Sequence, residues 1–380
     1  MIPRSAGPRM GSLVSIVIAA HNAVGYLDET LASAVAQRYN PLEIIVVDDG
    51  STDATAELVR GWSERDPRIR LIQQANAGVG AARNTGIAAA RGRYIAPLDA
   101  DDLWDPDKIT AQVAEMELWG PRAGFAYCWV RTINEHGRMT GIQPRCSASG
   151  GVFGALLIGN FLHNASVPLF RADALKLVGG YATREEQGGV QGCEDWELCL
   201  RVANRYDVCV VPRVLVSYRI VQSGMSFNVR GMERSYLWLL GEARRLRSEL
   251  PESIFRWSKG QFYLYLALKA RQGGIYAETR RCLRHAARSD FAALLTPVLY
   301  YGWTVSWYRQ WFPRRANRPA KSSPVVRSRD DSALADGMLP PPRGLDHWRL
   351  RSLVNARLLW SLYAQVERRR SVRLLGMPRI

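Results

Sequence analysis

Paired cysteines are the first thing missing. The chain has six cysteines in 380 residues, at Cys128, Cys146, Cys193, Cys199, Cys209 and Cys282, with no C-x-x-C among them. Their spacing suits neither a zinc site nor a disulfide framework, and buried free thiols in a reducing compartment are the simplest reading. A Gly-rich phosphate loop is also absent where it would be needed. The apolar run "VSIVIAA" is followed by "HNAVGYLDE", and "GVG" at Gly78–Gly80 runs on into Ala81-Ala82-Arg83 without completing G-x-G-x-x-G. A dinucleotide-binding dehydrogenase and a nucleotidyltransferase both lose their expected signature. No signal peptide is expected, because the run Leu13–Ala20 is short, lacks a clean cleavage site and reads better as a strand. There is no internal repeat. Apolar residues make up 47%, enough for a full core, so global disorder is not expected.

Charge is present but lopsided. Residues 241–380 carry 27 Lys+Arg against 10 Asp+Glu, while residues 1–240 are nearly neutral. A basic C-terminal part suggests an anionic membrane surface or a nucleic acid as partner, or else a solvated tail with no partner. Phe291–Tyr308 is free of charge and rich in aromatics, with Arg309, Arg314 and Arg315 after it. It suits an interfacial segment or a buried helix pair better than a spanning helix.

The pattern along the chain predicts strands alternating with helices. Val14–Ala20, "EIIVVDD", "IRLIQQ" and "YIAPL" read as buried strands. Helices are expected over Tyr26–Gln37, from a cap at Thr52 or Asp53 to about Arg65, over the Ala-rich "GVGAARNTGIAAARG", and from beyond Trp104 to about Trp119. "GFAYCWVRTI" reads as a strand, "EDWELCLRVANR" as a helix, and "DVCVVP" and "VLVSYRI" as two short strands. Such alternation means an α/β fold with a mostly parallel sheet flanked by helices. Ligands of such sheets bind beyond the carboxyl ends of the strands, so Asp48-Asp49 and Asp99-Ala100-Asp101 should face one crevice. After about residue 230 the pattern is helical to about Tyr308. Residues 313–346 look like a linker, and residues 347–375 read as a basic helix.

"YIAPLDADDLWDP" and the next residue hold five carboxylates. Asp105 precedes Pro106 and reads as an N-cap, and Asp107 favours the same helix end. Asp99 and Asp101 lie between strand and helix, where two carboxylates repel each other unless a cation joins them. Leu103 stands where an EF-hand loop needs its third oxygen ligand, so Mg²⁺ or Mn²⁺ fits better than Ca²⁺.

"VSIVIAAHNAVGYLDETLASAVAQRYNPLEIIVVDDGSTDAT", "GVGAARNTGIAAARGRYIAPLDADDLW" and "GCEDWELCLRVA", in that order, resemble the successive blocks of the family 2 glycosyltransferases, over roughly residues 12–226. The resemblance implies a GT-A fold and inverting transfer from a nucleotide-sugar donor. It places Ala19 and His21 beside the nucleotide base, in a block usually reading Pro-x-Tyr-Asn. Asp49 becomes the carboxylate that accepts from the uracil ring N–H, with Asp48 beside it. Asp99 falls near the ribose, Asp101 at the metal, Asp195 at the catalytic base and Glu194 at a supporting acceptor-side position. Arg83 reads either as a phosphate contact or as a surface helix arginine. His163 and Asn164 fall in a segment that resembles the acceptor side, or in a packed loop. One departure stands out: Val221 occupies a position where many members have a metal-binding His, leaving Gln222 or water to substitute.

The expected organisation is a GT-A domain over 12–230, a helical, membrane-associated region over 231–312, the linker, and a basic C-terminal helix over 347–380. The expected partners are a nucleotide-sugar donor, a glycan or lipid-linked acceptor of cell-surface polysaccharide synthesis, and the cytoplasmic face of a membrane. No nucleic acid is expected. The alternative is a catalytically degenerate, transferase-like protein that acts through its basic C-terminal part as a binding module.

Overall fold

The computed structural model describes residues 11–221 and 224–290. The aromatic segment at 291–308, the linker, the basic C-terminal helix and Gln222 lie outside the described residues. The chain divides into two units, Met1–Phe262 and Tyr263–Ile380.

The first unit begins with three strand–helix repeats and a fourth strand: β1 (Val14–Ala20), α1 (Leu27–Val35), β2 (Leu42–Asp49), α2 (Thr55–Arg65), β3 (Ile69–Gln74), α3 (Val79–Ala89) and β4 (Tyr94–Asp99). Then come β5 (Leu103–Trp104), α4 (Lys108–Trp119), β6 (Ala123–Ile133), β7 (Met139–Ile142), α5 (Phe153–Ile158), β8 (Leu169–Arg171), α6 (Ala172–Val178), α7 (Glu194–Ala203), β9 (Asp207–Arg219) and α8 (Val229–Leu246). Two more helices follow, α9 (Glu252–Gln272) and α10 (Tyr276–Ser289). In the second unit, described over 263–290, the Tyr263 and His285 rings stack at 4.8 Å, and Cys282, Leu283 and Ala286 of α10 are buried. Among the described residues no helix is long and apolar enough to cross a membrane.

The sheet runs β3-β2-β1-β4-β8-β6-β9-β5, with β7 paired to β6. The four strands from β3 to β4 are parallel, as their unbroken β-branched runs require of strands covered on both faces. Beyond β4 the pairing is mixed: β8 is antiparallel to β4 and β6, β6 and β9 are parallel, and β5 returns antiparallel to β9. Helix α3 lies against β1 and β2 at Gly86, where an added Cβ would stand 2.3 Å from Val17 Cγ1. Only glycine permits that approach.

Three local expectations are refined. The two short strands expected over 207–220 are one strand, β9. Its register against β6 slips between the pairs Cys128–Val211 and Trp129–Val214, so Pro212 and Arg213 bulge out. Proline has no N–H for the ladder, and the bulge lets the strand continue past it. Helix α2 starts at Thr55, with Asp53 Oδ1 accepting from the Thr55 N–H at 3.0 Å. Asp105 acts one turn before α4, accepting from the Asp107 N–H at 3.0 Å, and Asp107 pairs with Arg38 and Arg213. All six cysteines are free thiols, five of them buried.

Candidate active site

Parallel register brings the strand ends together. Ala19 pairs with Val47 on one side and Asp99 on the other, and Ala20 pairs with Asp48. Because β1, β2 and β4 end side by side, Asp48, Asp49 and Asp99 gather at one edge, as the topology predicted.

Asp49 is buried and already engaged. Its Oδ1 accepts from Gln74 Nε2 at 2.8 Å and from the Ala77 N–H at 2.9 Å, and its Oδ2 accepts from the Gly78 N–H at 2.8 Å. It thereby clamps the β3–α3 loop, and one of its four lone-pair positions stays open. Asp48 accepts from the Ser51 N–H at 3.0 Å and from Gln73 Nε2 at 3.1 Å. His21 is exposed, with Nδ1 3.0 Å from the Asp49 carbonyl oxygen, which also accepts from Asn76 Nδ2 at 3.0 Å. Asn22 Nδ2 lies 3.3 Å from His21 Nε2, and Asn76 Nδ2 lies 3.2 Å from His21 Nδ1. Asn22 itself sits at φ +49°, a left-handed conformation that Asn tolerates.

Arg83 is the electrostatic centre. The surface-helix reading does not hold, because only 4% of the residue is exposed. One end of its guanidinium donates to Asp99 Oδ1 at 2.5 Å and the other to Glu194 Oε1 at 2.9 Å. Burial works against its charge, but Asp99 and Glu194 outweigh it and hold its pKa above the ordinary value. The arginine thus faces carboxylates rather than standing free for a phosphate. Tyr181 lies beneath it, with the guanidinium carbon 5.0 Å from the ring centroid. The Tyr181 hydroxyl is buried without a hydrogen-bond partner among the described residues.

Glu194 and Asp195 open α7, where the helix dipole favours negative charge. Glu194 Oε2 also accepts from the Gly192 N–H at 2.9 Å, so this carboxylate is structural on both sides. Asp195 is half-buried, and only its Oδ1 is held, by the Trp196 N–H at 2.7 Å. Burial, and then the Glu194 charge, push its carboxyl up to about 7 against the pull of Arg83. A carboxyl near neutrality with one oxygen free has the properties of a general base. Its helix is anchored from behind: Trp196 donates to the Leu156 carbonyl at 2.8 Å and stacks on Tyr236 of α8, which stacks on Phe262 at 3.9 Å.

The loop after β4 holds two more carboxylates. The Asp101 carboxylate accepts no hydrogen bond from another residue among those described, and burial, then the Asp99 charge, push its carboxyl up to about 7. Asp102, for which sequence reading offered no role, is fully buried. It accepts from Asn164 Nδ2 at 2.5 Å, Ser166 Oγ at 2.6 Å and the Arg219 N–H at 2.9 Å. Burial and the charges of Asp101 and Asp99 hold its carboxyl well above the usual range. Asn164 is therefore a support beneath this loop. His163 beside it sits at φ +72°, with Nε2 3.5 Å from the Pro144 carbonyl oxygen.

Asp101 and the second oxygen of Asp99 fit a divalent cation. A part-buried carboxyl without a donor, next to another carboxylate, gains from an ion, and Mg²⁺ or Mn²⁺ accepts one or two carboxylates with phosphate oxygens and water as the remaining ligands. Among the described residues no three His, Cys, Asp or Glu groups converge as a cation cage, so two carboxylates are what this edge offers. Val221 cannot ligate.

Replacing Arg83 by methionine leaves Glu194 and Asp99 without their shared cation. The expected loss is about 3–5 kcal/mol of unfolding free energy, read by denaturant titration, and a loss under about 1 kcal/mol would show that the pair is not holding the crevice.

Residues 15–144 match the sequence profile described as Glycosyl transferase family 2. The chain is 46% identical over 90 residues to the uncharacterized glycosyltransferase EpsJ of Bacillus subtilis, a stretch covering 24% of this chain and 26% of EpsJ. It is 44% identical over 108 residues to the succinoglycan biosynthesis protein ExoO of Rhizobium meliloti, covering 28% of this chain and 30% of ExoO. To the chondroitin synthase of Escherichia coli it is 42% identical over 97 residues, covering 26% of this chain and 14% of that protein. The match thus spans less than a third of the length of each of these relatives. A solved structure of the mannosyltransferase PcManGT from Pyrobaculum calidifontis, in complex with GDP-Man and Mn²⁺, superposes with a TM-score of 0.50 at 21% identity. That superposition covers 78% of this chain and 82% of PcManGT. Residues 15–144 thus form a domain similar to glycosyl transferase family 2, on a fold of the GT-A type.

Proposed function

We propose that this protein is an inverting, divalent-metal-dependent glycosyltransferase. It moves a sugar from a nucleotide-diphosphate donor, with a UDP-sugar as the first candidate, to a hydroxyl of a glycan or lipid-linked acceptor in cell-surface polysaccharide synthesis. The observation that carries this reading is the placement of Asp195. Its free carboxylate oxygen stands at the start of α7, and the Arg83–Glu194 pair next to it ties that helix start to Asp99 and the loop of Asp101.

The chemistry follows from these residues. Asp195 takes the proton of the acceptor hydroxyl as its oxygen forms a bond to the anomeric carbon, and the bond from that carbon to the diphosphate oxygen breaks. A single displacement inverts the anomeric configuration. A bound Mg²⁺ or Mn²⁺, held by Asp101 with Asp99, would neutralise charge developing on the nucleoside diphosphate. The open lone pair of Asp49 is the acceptor for a base N–H, and Asp48 and the Asn76–His21 pair border it. Arg83 keeps Asp99 and the α7 start in register. The Mn²⁺ and nucleotide-sugar complex of PcManGT, and the polysaccharide setting named for ExoO, support the same reading.

Calorimetry with UDP-, GDP- and dTDP-sugars, with and without Mn²⁺, tests the donor side. One donor should bind only with metal, and Asp101→Ala should abolish the heat. No binding of any nucleotide sugar by folded protein would sink the transferase reading and leave the degenerate, binding-module alternative. The base makes a separate prediction. Since the Asp195 carboxyl is pushed up to about 7, it is protonated and idle below that value, so kcat/KM should rise with pH through about 7 and level above it. Asp195→Asn should lower turnover by about 10²–10⁴-fold. A wild-type profile flat from about pH 5.5 to 8.5 would remove Asp195 from the role.

The basic C-terminal part places the enzyme peripherally on the inner face of the cell membrane in this reading, motivated by the charge split between the two parts of the chain. Full-length protein should sediment with vesicles containing phosphatidylserine at low salt and less so at high salt. Equal sedimentation of a chain ending at Asp290 would show that the segment beyond it contributes nothing.

A further inference from the structure

Arg219 ends β9 with its side chain only 1% exposed, and nothing in the transfer chemistry above uses it. Its contacts converge on the loop that bears Asp101. Nε donates to the Asp101 carbonyl oxygen at 2.8 Å, and one terminal nitrogen donates to the Glu135 carbonyl at 3.0 Å. The other terminal nitrogen meets Glu29 Oε2 of α1 at 2.6 Å, while the guanidinium carbon stands 4.9 Å from the Tyr26 ring centroid. The Arg219 backbone N–H donates to Asp102 Oδ1 at 2.9 Å. One residue therefore grips both peptide neighbours of the loop, Asp101 by its carbonyl and Asp102 by its carboxylate.

We propose that Arg219 is a positioning residue for the divalent cation: by fixing the Asp101 peptide it aims the Asp101 carboxylate, and Glu29 on α1 anchors that grip from the surface. The inference rests on the metal-dependent transfer reading above and adds to it a residue that touches neither metal nor substrate. Holding a carbonyl fixes the peptide plane, and with it the direction in which the same residue's side chain leaves the backbone. Thr30 adds to the hold, its Oγ1 lying 2.9 Å from the Ala100 and 3.0 Å from the Asp102 carbonyl oxygens. Val221, two residues past Arg219, has no ligating atom in its side chain, so here the side chain of Arg219 contributes aim rather than a ligand. Planar geometry is essential, since the contacts to Asp101, Glu135 and Glu29 lie in three directions that a guanidinium fork satisfies together and an ammonium does not. Lysine keeps the charge, and with it any repulsion of an incoming cation, so Arg219→Lys isolates the geometric effect.

The probe is Mn²⁺ alone, titrated into protein and read as the free-ion signal in electron paramagnetic resonance, with the metal-free melting temperature measured alongside. Arg219→Lys should weaken Mn²⁺ binding by about 10–100-fold, the usual cost of losing a group that orients a ligand. Glu29→Ala lies on a side chain 59% exposed and does not threaten the fold. It should weaken binding in the same direction by a smaller factor. If Arg219→Lys fails to fold, Glu29→Ala decides. Wild-type binding that is abolished by Asp101→Ala, yet matched within twofold or exceeded by the folded lysine variant, overturns the positioning role while leaving the metal site standing. No Mn²⁺ binding by the wild type overturns the metal reading itself, and this inference with it.

Discussion

A cation buried between two carboxylates is the interaction on which this crevice depends. Arg83 leaves α3, meets Asp99 at the end of β4 and Glu194 at the start of α7, and is almost fully removed from water. Six carboxylates stand around this edge of the sheet: Asp48, Asp49, Asp99, Asp101, Glu194 and Asp195. Uncompensated, they would force β2, β4 and α7 apart, because like charges in a low-dielectric setting repel strongly. Each is handled differently. Asp48 and Asp49 are neutralised by N–H donors, Asp99 and Glu194 by Arg83, and Asp101 and Asp195 by a pKa raised toward neutrality. Neither of the last two is ion-paired among the described residues, and the proposed chemistry calls on a free oxygen of each.

That division explains why residues alike in sequence serve different ends. Asp101 and Asp102 are neighbours, yet one faces the crevice without a donor and the other is a buried post holding Asn164, Ser166 and Arg219. Glu194 and Asp195 divide the same way, with the first locked and the second free. In both pairs a helix or strand end turns adjacent side chains to opposite environments, and environment rather than residue type decides the role.

Much of the frame was legible beforehand. The strands β1 to β4 announce themselves because a parallel strand buried on both faces needs an unbroken apolar run, and the crevice follows from where such strands end. Asp49, Asp99, Asp101 and Asp195 were singled out through the order of the sequence blocks, and the structure sets Asp49 and Asp99 at neighbouring strand ends and Asp195 at the start of α7. What was not legible depends on contacts distant along the chain. Asp102 meets Arg219 across 117 residues and Asn164 across 62, so no local pattern could distinguish its buried carboxylate from the part-buried ones beside it. Arg83 lies on a helix whose weak amphipathic pattern does not declare which face is covered. The single long β9 was masked by Pro212, which locally reads as a strand break.

The segment between α6 and α7 bears on how such a protein could diversify. Its far end is fastened by Gly192 and Glu194, and its middle by Gln187, which accepts from Ser235 at 2.8 Å. Between them Gly188 and Gly189 turn outward with positive φ, exposed to solvent. Residues could be inserted at that tip without dragging on Arg83 or Asp195, since the strain of a longer loop would be absorbed beyond the two fastenings. The surface contour at that tip could then be recut over evolutionary time, or by grafting, while the charge arrangement of Arg83 and Asp195 stayed untouched.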